Sequence, residues 1–162
     1  MTAHRYFTAA EIQSAHFCPP PSFASRRSPK KGRKAEGLRF EAKAQKALCA
    51  ESDLYLPGPW IIFIAGGRPF WCQPDGLHFD VQRGVITIIE IKHSHTAEAH
   101  RQLRGTYEPV IRCMFPRPSW GVRLVELVHW FDPDIRFPEP IHLCPEPFAH
   151  SGPLIGVHVW RS

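Results

Sequence analysis

Apolar positions along this chain fall into runs whose period separates helix from strand. Between about Gly32 and Ala50 the residues are mostly Ala, Lys, Glu, Gln and Leu, all good helix formers. Leu38, Glu41, Gln45 and Leu48 share one face of that helix, flanked by Phe40, Ala44 and Ala47. Trp60-Ile61-Ile62-Phe63-Ile64, bounded by Pro59 and Gly66-Gly67, predicts a short buried strand. Pro69 to Val81 predicts the next, with Leu77, Phe79 and Val81 alternating against His78 and Asp80. Val85 to Lys92 is apolar on both faces, as a central strand should be. A second helix is expected from about Thr96, its N-cap candidate, to Tyr107, with Pro109 near its end. Val122 to Trp130 predicts a further strand and Leu154 to Trp160 an edge strand. Residues 8–16 fit one or two helical turns. Residues 18–34, rich in Pro, Ser and like charges, predict a mobile linker or arm. The order of helix, three strands, helix and strand predicts an α/β or α+β layered domain.

Two polar features interrupt this pattern where apolar residues would be expected. Glu90-Ile91-Lys92 closes the run Val-Ile-Thr-Ile-Ile, and Glu41 sits inside the apolar stripe of the first helix. Glu90 and Lys92 are two apart and project from one face, while Ile91 points away. Whether Asp75, after Pro74, joins them depends on the parity of the turn near Gln82-Arg83-Gly84. A two-residue turn at Arg83-Gly84 would pair Asp75 with Lys92 and Leu77 with Glu90; an odd loop would turn Asp75 to the wrong side. The functional reading therefore requires an even loop, or a bulge that corrects the parity.

If these groups meet, charge assigns their roles. Asp75 and Glu90 are hard oxygen ligands suited to Mg²⁺ or Mn²⁺. The Ile91 carbonyl lies between the two acids and is a further candidate ligand, and Glu41 a third carboxylate. Lys92 would orient a water or stabilise charge on a phosphorane-like transition state. Without a cation the clustered carboxylates would repel, which is the physical reason to expect one.

Charge distribution points to the same partner. The formal net charge is +5, yet Arg26, Arg27, Lys30, Lys31, Arg33 and Lys34 stand between Gln13 and Ala35 with no acid among them. Without those six, acids outnumber bases by one. A short basic arm suits a polyanion such as DNA; the alternative is a solvated tail. Residues 1–34 are thus read as an N-terminal segment with a basic arm, and 35–162 as one domain with proline-rich C-terminal loops. Five widely spaced cysteines fit reduced thiols in a cytoplasmic chain. No apolar run approaches the roughly 18 residues of a membrane span, so no membrane partner is expected.

Gly37-Leu38-Arg39-Phe40-Glu41, then Pro74-Asp75, then Glu90-Ile91-Lys92, resembles the PD-(D/E)XK nuclease superfamily, most like its RecB-type and phage-exonuclease-like branches. The likeness covers about residues 32–112. It implies a restriction-endonuclease-like core, a mixed central sheet flanked by helices, with Mg²⁺-dependent DNA cleavage leaving 5′-phosphates. It also implies a substrate-contacting role for Gln102, which resembles the Gln of a Gln-x-x-x-Tyr pattern. Here Thr106 stands at the Tyr position and Tyr107 one later. By analogy such a protein suits phage or repair DNA processing, and a ring-shaped homo-oligomer would favour processive exonuclease action.

Other readings remain beside it. His78, His93, His95 and His100 match no familiar zinc spacing. Cys72 is expected as a buried core residue rather than a nucleophile. Trp71 or Trp120 could stack on an unpaired base. The rivals to a nuclease are a non-cleaving nucleic-acid-binding protein on the same fold and an assembly protein. The latter would meet a protein partner through the six-proline segment 132–153.

Overall fold

From Ile86 to Ile91 every residue of the chain's most apolar strand is buried, and that strand lies in the middle of the larger of two sheets. The computed structural model describes residues 6–24, 31–92, 97–116, 118–130 and 155–161. Along the chain its elements are β1 (Ile12–Cys18), α1 (Arg33–Glu51), β2 (Tyr55–Pro57), β3 (Trp60–Ala65), β4 (Arg68–Cys72), β5 (Gly76–Asp80) and β6 (Val85–Lys92). They continue with α2 (Ala97–Gln102), a π-helical turn (Leu103–Tyr107), α3 (Glu108–Met114), β7 (Gly121–Trp130) and β8 (Ile155–Arg161). The class is mixed α/β, as the order of elements predicted.

The larger sheet runs β2-β5-β6-β7-β8 and the smaller β1-β3-β4. β6 is antiparallel to β5 and parallel to β7, and β8 extends the sheet in parallel from β7. Each face of the larger sheet buries its own core. On one face Ile89, Ile91, Val125 and Leu127 meet Phe40, Ala44 and Leu48 of α1. On the other, Leu77, Ile86, Ile88 and Leu124 meet Leu103, Val110 and Ile111, with Ile61 and Phe63 from the smaller sheet. Burial of each such large side chain contributes on the order of 1.5–3 kcal/mol.

Several expectations from the sequence need correction. The buried stripe of α1 is Phe40-Ala44-Leu48, with spacing of four; Leu38 is exposed. Residues 8–16 are not helical turns: most of them belong to β1, which pairs antiparallel with β3. The single strand expected over 69–81 is two, because Gln73-Pro74-Asp75 breaks it. β4 ends against β3, and β5 begins in the other sheet. Pro74 has no N–H for a ladder and is confined to such breaks. Leu154–Trp160 does form an edge strand, as β8. The Thr96 cap, His93, His95 and the loops at 132–153 lie outside the described residues.

The second helix does not stop near Pro109. It passes through a π turn and runs on to Met114. In an α-helix the Pro109 N–H would reach the Gly105 carbonyl, and proline has none. That carbonyl accepts the Phe7 N–H at 2.7 Å instead. The chain's own N-terminal segment thus satisfies the acceptor that proline leaves open.

Candidate active site

The β5–β6 hairpin sets the site. Asp80 pairs with Val85 across a four-residue loop and Gly76 with Ile89. The expected two-residue turn is therefore too short, and Leu77 faces Ile88 rather than Glu90. The loop is nevertheless even. Continuing the same register one step past Gly76 sets Asp75 opposite Glu90, on the Glu90 and Lys92 face. His78 falls on the other face, opposite Thr87, with Ser52 Oγ 3.3 Å from its Nε2.

Asp75 is anchored at both of its ends. Its Oδ2 accepts the Ile91 N–H at 2.6 Å. Its carbonyl accepts the Gly58 N–H at 2.9 Å and the Gln45 Nε2 at 2.5 Å, with the Tyr55 hydroxyl at 3.3 Å. Tyr55 in turn donates to Gln45 Oε1 at 2.5 Å. A Cβ on Gly76 would overlap the Tyr55 ring, so only glycine lets the phenol lie across this corner. Tyr107 donates to the Gln73 carbonyl at 3.1 Å. Side chains from α1, β2 and the π turn thereby hold a segment that lacks ladder partners.

Lys92 Nζ lies 2.5 Å from Glu90 Oε1, an ion pair whose acid is almost fully buried. Glu90 Oε2 is buried with no hydrogen-bond partner. Burial raises the Asp75 carboxyl to about 8, reinforced by repulsion from Glu90 and Glu41 and opposed by the Ile91 N–H and Lys92. Burial likewise raises Glu90, against Lys92, with Glu41 and Glu126 adding repulsion. Glu41 is raised by burial and partly relieved by Lys92. For Lys92, burial works against the ammonium, but Glu90, Asp75 and Glu98 outweigh it and hold the amine above its ordinary range. All four charged side chains therefore share one electrostatic neighbourhood at the rim of the sheet.

The other expected residues divide. Gln102 ends α2, and its Nε2 lies 3.5 Å from the Tyr107 hydroxyl. The π turn absorbs one extra residue, so a tyrosine five positions on returns beneath the glutamine as one four positions on would in an α-helix. Ile91 enters the site through its N–H, which serves Asp75. Lys31 is exposed ahead of α1; Arg26, Arg27 and Lys30 lie outside the described residues.

Glu126 was not anticipated. It is buried on β7 directly beside Glu90 in parallel register. The signal was present, since Leu124-Val125-Glu126-Leu127-Val128 places an acid inside an apolar run just as the Glu90 strand does. Tyr55 and Gln45 carry no such mark, because a tyrosine in a strand and a glutamine on a helix are unexceptional in sequence.

No family model matches the chain, nor does any curated protein or solved structure. Among the described residues, no three His, Cys, Asp or Glu side chains stand together as a ready cage for a cation. Their chemistry still suits a hard divalent ion. The donors are carboxylate oxygens, one Glu90 oxygen is buried without a partner, and the acids are held above their ordinary range by burial and mutual repulsion.

Proposed function

We propose that the protein is a metal-dependent deoxyribonuclease that hydrolyses DNA phosphodiesters on a restriction-endonuclease-like core of the PD-(D/E)XK kind. The observation that carries this reading is the meeting of Asp75, Glu90 and Lys92 at one end of the central strand, within electrostatic reach of Glu41. Buried like charges of this kind are costly to fold and recur where chemistry needs them.

Asp75, Glu90 and Glu41, with the Ile91 carbonyl, are the groups that would hold Mg²⁺ or Mn²⁺. Bound there, the ion would polarise a phosphate oxygen and lower the pKa of water. The chain's own groups do the rest. The Ile91 N–H fixes one Asp75 oxygen, and Gln45, Tyr55 and Gly58 fix its backbone. Lys92, held cationic by its acidic neighbours, can donate a proton or hydrogen bond to oxygen that gains charge at phosphorus. Gln102, steadied by Tyr107, is placed to contact the DNA backbone.

A second reading is a non-cleaving nucleic-acid-binding protein on this core. It is favoured by the Glu90–Lys92 ion pair, which already neutralises one acid internally. Incubation with circular and linear DNA in Mg²⁺, Mn²⁺ or chelator separates the two. The nuclease reading expects cleavage that chelator abolishes and Asp75→Ala or Glu90→Ala removes. Cut circles would mean endonuclease action, and attack on linear ends alone exonuclease action. Binding without cleavage under every metal would leave the second reading.

A further inference from the structure

The smaller sheet turns only one face to the core. Ile61, Phe63 and Ala65 of β3 are buried there, while Trp60, Ile62 and Ile64 face outward and are half-buried. Across the outward face Ile62 pairs with Trp71 on β4 and His16 on β1, and Ile64 with Pro69 and Ser14. Phe23 folds back over one end of this row. Its ring stands edge-on to Trp60 at 6.2 Å and to Trp71 at 5.4 Å. Even so, Phe23 remains 62% exposed and Trp71 38%. By contrast Trp120 is half-buried against Phe79 and Phe115.

Charge selects the occupant of this face. From Ile12 to Cys18 and from Trp60 to Gln73 there is no Asp or Glu. The charged residue on these strands is Arg68, which is exposed. Beyond Phe23 the chain enters its basic run, of which Lys31, Arg33 and Lys34 are described and exposed. Flat aromatic surface, no carboxylate and flanking cations suit a polyanion that carries aromatic rings. β4 also leads directly towards the site, since Asp75 follows Trp71 by four residues, a reach of at most about 14 Å.

We propose that the outer face of the β1–β3–β4 sheet is a stacking platform for the unpaired bases of single-stranded DNA. Trp71 and Phe23 supply the exposed rings, Trp60 backs them, and the adjoining cations take the phosphates. The platform shares its partner with the cleavage reading but none of its residues.

The test is titration of a fluorescein-labelled oligothymidylate with the full chain in chelator, followed by anisotropy and by quenching of tryptophan emission. Trp71→Ala should weaken binding about tenfold and Phe23→Ala several-fold, while Trp71→Phe keeps most of the affinity. A blunt duplex of equal length should be insensitive to Trp71→Ala. Equal affinity of wild type, Trp71→Ala and Phe23→Ala would overturn the proposal. So would an equal loss on the duplex, or a change in self-association with oligonucleotide affinity intact. Thermal melts of Trp71→Phe and Trp71→Ala check that the fold survives. Because the assay needs no cleavage, an inactive enzyme leaves the platform standing, and a failed platform leaves the nuclease reading standing.

Discussion

Asp75 reaches across to the Ile91 amide at 2.6 Å, one step beyond the point where β5 and β6 stop pairing. A carboxylate replaces the missing backbone acceptor and is drawn into a buried, acid-rich corner.

Stability of the metal-free protein should therefore fall as pH rises. Unfolded, Asp75 loses its proton near 4; folded, it keeps it up to about 8. Between those values the folded state holds the extra proton, so stability declines across that window and stays reduced above it. Asp75→Asn keeps an acceptor for Ile91 and removes the titration. In chelator its advantage over wild type should grow from pH 4 to pH 8, reaching on the order of a few kcal/mol. Denaturant melts across that range check it; a wild type as stable as the variant at pH 8 would refute the burial argument.

Lys92→Met should lower kcat by about a hundredfold or more while leaving KM within a few-fold, if Lys92 acts on charge that develops during the reaction. Single-turnover cleavage in Mg²⁺ separates the two constants. A change confined to KM would make Lys92 a binding residue.

Tyr55→Phe removes the hydroxyl that touches Gln45 and the Asp75 carbonyl, yet leaves the ring over Gly76. The expected cost is about 1 kcal/mol in stability, with slower cleavage from a looser Asp75. Gly76→Ala should cost more, about 1–3 kcal/mol, because its methyl meets that ring. Chemical denaturation of the two variants gives the order directly.

Neutralising Arg26, Arg27, Lys30 and Lys31 together should reduce the slope of log affinity against log salt by up to about four, one for each phosphate released. An unchanged slope would make the arm a solvated tail.

How much of this was legible in the sequence depends on how strongly each segment marks itself. β3, β6 and β7 are apolar runs with clear ends, and α1 is a run of helix formers, so both their existence and near bounds could be read. β1 could not, because an edge strand with Gln13, Ser14 and His16 exposed has no alternation to detect. The continuation of the second helix was hidden because Pro109 is a breaker only if its missing N–H matters, and Phe7 fills that role from far along the chain. Of the site, Asp75, Glu90, Lys92 and Glu41 announced themselves as charges in apolar settings. Glu126 did so too, but it lies on a strand whose parallel register with β6 no local pattern specifies. The Gln102–Tyr107 spacing looked like a mismatch until a π turn supplied the extra residue.

The four-residue connection between Asp80 and Val85 makes chain length itself a functional variable. Loss of one codon there would turn β6 over, sending Ile89 and Ile91 towards α2 and α3 and pressing Glu90 and Lys92 into the hydrocarbon beneath α1. Loss of two would restore the original facing. Natural or engineered variants of this hairpin should therefore tolerate insertions and deletions only in pairs.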